Sequence, residues 1–328
     1  MKTLISTDRD AAVELLRKGE LVALPTETVY GLAAKALNPI AVAKIFEAKE
    51  RPRFDPLIVH LPNRDWLGRI VAVPAGDRQL IGKLADKFWP GPLTIVLPKR
   101  EIVPDIITAG LETVAVRLSA HPVFAEIVGE LDEPLAAPSA NRFGHVSPTT
   151  AQHVLDELEG RIPLIVDAGW TEHGIESTIV AVRDGRIAVF RRGPITDEQL
   201  SEFADIVSVT GTQRISAPGQ LPSHYAPTTP LRLIDKAEAF PPQKNQRVGL
   251  LAWSGAPTSP QLETRCPEAF AAVRNLSDRG DLREAASNLF RYLRELDALG
   301  LDLIIAERVP SRGLGAAIMD RLERASHR

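Results

Sequence analysis

The chain has 328 residues, 44% of them hydrophobic, with a single cysteine and a formal net charge of -3 at pH 7. That balance gives no global electrostatic grip on nucleic acid, which calls for a strongly basic face, although a local basic groove stays compatible with it. The lone Cys266 excludes an intramolecular disulfide and any multi-thiolate metal centre, and the length suggests about two domains.

Met1 to Asp10 carry charge where a signal peptide would have its apolar region, and no run approaches membrane-spanning length, so a cytoplasmic protein is expected. Ala11 to Lys18 reads as an amphipathic helix closed by Gly19, and Leu21 to Leu24 as a short strand leading into Pro25. Asn38 and Pro39 open a helix, and Val42, Ile45 and Phe46 repeat at helical spacing until Pro52 ends the pattern. Leu57 to Leu61, Leu93 to Leu97, Val114 to Leu118 and Leu164 to Val166 are short apolar runs that read as buried strands. Helices are expected at roughly 77 to 88, 122 to 131 and 149 to 159, the last opened by Ser147-Pro148. Asp184-Gly185 joins Ser177–Arg183 to Arg186–Arg191 as a hairpin, which makes the sheet mixed. From Val209 to Pro230 the periodicity gives way to Gly, Pro, Ser, Thr and His, the chemistry of a linker. Beyond it, Val248–Trp253 and Leu303–Ile305 read as strands, and Leu282–Leu299 and Leu314–Leu322 as helices of a small α/β domain. Gly313-Leu314-Gly315 lacks the third glycine of a dinucleotide fingerprint, so that reading is rejected.

Chemistry concentrates first in Lys49-Glu50-Arg51-Pro52-Arg53-Phe54-Asp55-Pro56-Leu57. Three cations leave one helix end together and are expected to converge. Arginine can clamp an oligophosphate in bidentate fashion while lysine acts as a movable point charge; the plainer reading is a basic helix end complementing its dipole.

That stretch follows Pro25-Thr26-Glu27-Thr28-Val29-Tyr30-Gly31-Leu32 and precedes Thr113-Val114-Ala115-Val116-Arg117, Pro138-Ser139-Ala140-Asn141, Gly174-Ile175-Glu176-Ser177-Thr178 and Arg191-Arg192-Gly193. These six segments, in this order, closely resemble the YrdC family of threonylcarbamoyl-AMP synthases. The C-terminal region resembles the long, two-domain form. The resemblance implies a twisted mixed α/β sheet with helices over residues 1–207, a linker or lid at 208–230, and a small Rossmann-like α/β domain at 231–328. It also implies an enzyme that joins L-threonine, bicarbonate and ATP into threonylcarbamoyl-AMP and pyrophosphate, with Mg2+ accompanying ATP. The product would pass to the tRNA threonylcarbamoyl transferase machinery; direct contact with tRNA stays open.

Carried over residue by residue, the resemblance assigns Lys49 and Arg51 to catalysis. Arg51, Asp55, Thr113, Ser139, Asn141, Ser147, Arg191 and Tyr225 would bind the nucleotide, and Thr28, His60, Arg117, Ala137 and Ser177 would bind L-threonine. No Walker-type loop exists, so charge must hold the triphosphate. Asp55 departs from the asparagine usual in the family and would repel phosphate unless paired with Arg53, bridged by magnesium or turned outward. Arg192 should face away from Arg191, since strand side chains alternate. Arg117 ends an apolar strand, where a structural ion pair competes with a carboxylate clamp. His60 lies in Leu57-Ile58-Val59-His60-Leu61 and is expected to position substrate rather than act as a base. Glu27 and Glu176 could each hold a magnesium-bound water or merely satisfy a turn. The segment containing His224-Tyr225-Ala226-Pro227 would close over the first domain's cleft, with Tyr225 on ATP. The rival from another class is a non-catalytic RNA-binding or ribosome-maturation module of the same fold, disfavoured by few aromatics and an acidic balance. A carbamoyl transferase using related chemistry on a protein tail would need further domains.

Overall fold

A computed structural model describes residues 1–208, 225–237, 240, 245–254 and 270–327. Cys266, His224 and most of the expected linker lie outside the described residues. The described parts of 1–143, 148–172 and 176–221 form one unit, and those of 144–147, 173–175 and 222–328 another.

In the first unit the strands are β1 (Leu4–Ser6), β2 (Val22–Leu24), β3 (Gly31–Lys35), β4 (Ile58–His60), β5 (Leu93–Pro98), β6 (Thr113–Arg117), β7 (Leu135–Ala136), β8 (Leu164–Val166), β9 (Thr178–Arg183), β10 (Arg186–Arg191) and β11 (Ile206–Ser208). They form a sheet in the order β1-β8-β2-β3-β7-β4-β6-β5-β9-β10-β11. Pairing is parallel for β4 with β6 and β5 with β9, and antiparallel for β2 with β3, β5 with β6 and β9 with β10. The sheet is therefore mixed, as the hairpin at Asp184-Gly185 implies. Residues 93–97 of β5 are buried without alternation, because an apolar run flanked by strands and covered on both faces has no solvent side.

Amphipathic helices supply the cover. Arg9–Arg17 buries Ala12, Val13 and Leu16 in a cluster shared with Phe124, Ile127 and Leu131 of Pro122–Leu131. Helix Pro39–Lys49 starts where the Asn38 side chain accepts the Ile40 and Ala41 amides, and it ends with Glu50 at φ +53° and the Arg51 amide on the Phe46 carbonyl. Its Val42, Ile45 and Phe46 are buried, each contributing about 1.5 to 3 kcal/mol of apolar burial. This packing fixes where Lys49 and Arg51 leave the helix.

Two expectations need correction, and four strands were not anticipated. Arg53 is exposed while Lys49 and Arg51 are buried, so two cations turn inward and the third does not join them. The helix expected from 149 spans Ala151–Leu158, and its cap is Thr150, whose hydroxyl accepts the His153 amide, rather than Ser147. Strands β1, β3, β7 and β11 carry too few residues, or too many alanines and glycines, to stand out as apolar runs.

The second unit holds a parallel sheet of β12 (Leu231–Ile234), β13 (Val248–Ser254), β14 (Ala272–Ser277) and β15 (Leu303–Glu307) in the order β12-β15-β13-β14. Helices Leu282–Asp297 and Leu314–Ser326 accompany it. Strands β12 and β14 were not foreseen. The Gly313-Leu314-Gly315 motif has a packing reason: a Cβ on Gly315 would fall 1.8 Å from the Pro310 carbonyl oxygen.

Candidate active site

Three groups of buried polar side chains stand in the first unit. The first lies where β4 and β6 end. Parallel pairing sets His60 opposite Arg117, so both side chains project from the same face at neighbouring positions. Both are buried. Arg117 donates from Nη1 to Thr28 Oγ1 at 3.2 Å and from Nη2 to Glu27 Oε1, while Ser119 Oγ donates to Glu27 Oε2 at 2.5 Å. Arg117 Nε and His60 Nδ1 are buried with no hydrogen-bond partner among the described residues. Polar atoms in that condition are uncommon in folded interiors and mark places where a further polar group fits.

The loop between β2 and β3 presents Thr28 with a defined donor and acceptor. Thr26 Oγ1 donates its one proton to the Val29 carbonyl at 2.6 Å, so in its 2.8 Å contact with Thr28 Oγ1 the proton comes from Thr28. Since Thr28 also accepts from Arg117, it has one lone pair left and can only accept from a substrate O–H or N–H.

Electrostatics follow from burial and these partners. Burial works against the Glu27 charge, but Arg117, Ser119 and backbone hydrogen bonds from Glu27 and Ala120 hold its carboxyl below the usual value. Burial first, and the Arg117 charge second, push His60 well below the ordinary histidine value. It is therefore neutral at pH 7 and a weak base. The stability consequence has a definite sign. Unfolded histidine takes a proton near pH 6.5 and the folded His60 only at lower pH, so its contribution is complete above about 6.5 and is lost as pH falls below that. Denaturant titrations from pH 7.5 to 5 should show stability declining in the parent chain, with a shallower decline in His60→Gln. Equal slopes would contradict the buried neutral state.

The second group joins β9 to β10. Arg191 donates from Nε to the Ser177 carbonyl and from Nη2 to Ser177 Oγ, each at 3.0 Å, and Ser177 Oγ lies 2.8 Å from Thr94 Oγ1. Gly193 allows this turn because a Cβ there would meet the Glu176 carbonyl and Thr178 amide at 2.5 Å. Arg192 points outward to Asp197, as strand alternation requires.

The third group contains Lys49, whose Nζ donates to the Ser139 carbonyl at 2.6 Å and to the Asn141 carbonyl. Burial, then the Arg51 charge, push its ammonium well below the ordinary lysine value, with Asp55 and Glu157 opposing. Arg51 pairs with Asp55 at 2.8 Å and donates to the Asp55 and Pro56 carbonyls. Asp55 is thus fully buried and paired with Arg51, not Arg53.

Two family models match in tandem. One described as "Telomere recombination" covers residues 14–193, and one described as "Threonylcarbamoyl-AMP synthase, C-terminal domain" covers 195–327. Proteins named threonylcarbamoyl-AMP synthase from Bacillus subtilis and Pyrococcus abyssi are 39% and 37% identical; each alignment covers 96% of this chain, and 92% and 93% of theirs. The chain belongs to the threonylcarbamoyl-AMP synthase family. A crystal structure of P. abyssi Sua5 complexed with L-threonine matches with a TM-score of 0.85 at 35% identity, covering 99% of this chain and 98% of that one.

In this threonylcarbamoyl-AMP synthase family member the residues expected to meet threonine divide between two groups. Thr28, His60 and Arg117 belong to the first and Ser177 to the second, while the Ala137 amide is occupied by the Ile58 carbonyl at 3.2 Å. Of the expected nucleotide residues, Arg191 touches Ser177 directly, so those two substrate subsites would share a hydrogen bond. Thr113 begins β6, the strand that Arg117 ends. Ser139 and Asn141 carry the carbonyls that hold Lys49, and the Asn141 amide donates to the Arg142 carbonyl at 2.7 Å. Ser147 is buried in a segment grouped with the second unit. Tyr225 is also in that unit, stacked on Phe290 at 5.7 Å with the Arg321 guanidinium 4.9 Å from its ring.

Among the described residues no cluster of three or more His, Cys, Asp or Glu side chains could hold a metal ion. Glu27 is engaged by Arg117 and Ser119, which removes it as a holder of magnesium-bound water. A magnesium ion accompanying ATP would therefore have to be held chiefly by the nucleotide, since these residues offer it no carboxylate cluster.

Sequence reasoning missed Ser119, Thr94 and the Glu27–Arg117 pair. Ser119 stands two residues beyond Arg117, the spacing that keeps side chains on one face of extended chain, and Thr94 is the polar residue inside an apolar strand.

Proposed function

We propose that the chain makes threonylcarbamoyl-AMP from L-threonine, bicarbonate and ATP, releasing pyrophosphate. The observation that carries this reading is the buried His60–Arg117 pair with Thr28, whose unpartnered Nε and Nδ1 and spare acceptor match an amino acid with a carboxylate, an ammonium and a hydroxyl. The same family contains a P. abyssi protein solved with L-threonine, which supports the assignment.

In the proposed reaction the threonine amine and bicarbonate give a carbamate and water, and a carbamate oxygen then attacks the α-phosphorus of ATP as pyrophosphate leaves. Arg117 clamps the threonine carboxylate, Thr28 accepts from the substrate, neutral His60 positions it, and Ser177 and the Ala137 backbone complete that side. In this reading Lys49, Arg51 and Arg191 meet the triphosphate, with Asp55, Thr113, Ser139 and Asn141 on the nucleotide. Magnesium, when bound with ATP, supplies further charge neutralisation. Alignment of nucleophile and phosphorus and neutralisation of the leaving group are the protein's tasks, and no covalent intermediate is needed. Cytoplasmic residence and delivery of the adenylate to a tRNA-modifying transferase complete the reading; no described helix is long and apolar enough to cross a membrane.

Mass spectrometry of products from ATP, bicarbonate and each amino acid in turn tests it. Threonine should yield a threonylcarbamoyl adenylate. RNA retention without pyrophosphate release would favour the non-catalytic RNA-binding module instead. Serine should replace threonine poorly, by about 1 to 3 kcal/mol, since only a methyl contact is lost. Calorimetric titration of both amino acids with ATP present measures this, and equal affinities would count against a threonine-shaped pocket.

A further inference from the structure

Glu27 is already engaged at both carboxylate oxygens, Oε1 accepting from Arg117 Nη2 and Oε2 from Ser119 Oγ. It is therefore poorly placed to receive a substrate ammonium. What it does is neutralise Arg117, since both side chains are at least 95% buried. Arg117 at the same time keeps Nε without a partner among the described residues. A guanidinium with one carboxylate already attached and its Nε donor unused can take a second carboxylate, but the first weakens the attraction.

We propose that Glu27 is an internal counter-ion to Arg117: it holds the guanidinium in place and keeps it neutralised while the site is empty, and it thereby lowers the affinity for the carboxylate of an amino-acid substrate. The inference rests on Arg117 being the carboxylate clamp. Its physical content is a trade between two carboxylates for one buried cation. Without Glu27's charge, the guanidinium is buried uncompensated until a ligand carboxylate arrives, so the empty protein loses stability and the liganded protein regains it. Ser119 is the positioning residue that keeps the second oxygen of Glu27 turned away from the clamp.

The test is calorimetry and thermal denaturation of the full chain with L-threonine, and with L-threonine methyl ester, which lacks the carboxylate charge. Glu27→Gln retains an oxygen able to accept from Arg117 while removing the charge. It should melt at lower temperature than the parent when empty, recover more on adding threonine, and bind threonine at least about tenfold tighter, with no gain for the methyl ester. If Glu27→Gln folds poorly, Glu27→Asp, which keeps the charge but shortens its reach to Arg117, should still bind threonine tighter than the parent, and unchanged affinity there would overturn the counter-ion role. Threonine binding by Glu27→Gln that is unchanged or weaker, while Arg117→Ala loses threonine binding, would overturn the counter-ion role alone. Parental threonine affinity in Arg117→Ala would overturn the clamp, and the proposal with it.

Discussion

Arg51→Ala should lose about 3 to 5 kcal/mol of stability, because it removes one partner of a buried ion pair and leaves Asp55 in the interior without its guanidinium. Arg51 also donates to the Asp55 and Pro56 carbonyls, so the turn entering β4 loses its internal brace. A second effect should be separable from the first. If the guanidinium also neutralises the leaving pyrophosphate, turnover falls by at least about a hundredfold, the scale of removing one preorganised charge from a transition state. The double variant Arg51→Ala/Asp55→Asn removes the orphaned charge and should recover much of the stability but none of the turnover. Urea denaturation and pyrophosphate release on both proteins separate the two roles. Near-parental turnover in the double variant would show that Arg51 serves the fold alone.

Lys49→Met should behave differently. Methionine matches the buried aliphatic stem and eliminates an ammonium that burial and the Arg51 charge disfavour. Against that gain stands the loss of the donor to the Ser139 and Asn141 carbonyls, about 1 to 3 kcal/mol. The two effects oppose each other, so a folded variant is expected, with turnover down at least about a hundredfold through the lost charge on the leaving group. The pH dependence has a worked sign. Unfolded lysine binds its proton near pH 10.4 and folded Lys49 only at lower pH, so the parent should gain stability relative to Lys49→Met as pH rises towards about 10.4. A folded Lys49→Met with unreduced pyrophosphate release would remove Lys49 from the phosphate site.

These two neighbours illustrate how far the residues could be read in one dimension. Asn38, Pro39 and the apolar spacing of Val42, Ile45 and Phe46 specify the helix, and Pro52 specifies its end, because capping and periodicity act within a few residues of chain. The destination of each cation is not local. Lys49 and Arg51 go inward, Arg53 outward, and Asp55 finds Arg51 rather than Arg53, since the left-handed Glu50 and the turn after it set the direction of each side chain. The Asp184-Gly185 hairpin and the outward Arg192 were likewise legible, being consequences of turn chemistry and strand alternation.

By itself the sequence determined the alternation of helices and strands, the division into a larger and a smaller α/β part, and the identities of the polar residues that interrupt its apolar runs. Those follow from local propensity and patterning. Only the tertiary structure decided which of them meet. The β4–β6 register puts His60 beside Arg117, the β2–β3 loop brings Glu27 and Thr28 onto the same guanidinium, and the β9–β10 hairpin sets Arg191 against Ser177. The physical reason is separation along the chain: Arg117 lies 89 residues from Thr28 and 90 from Glu27. Contacts across such distances depend on strand order and register, which are selected by burial of the whole sheet and leave no local signature in the residues that happen to face one another.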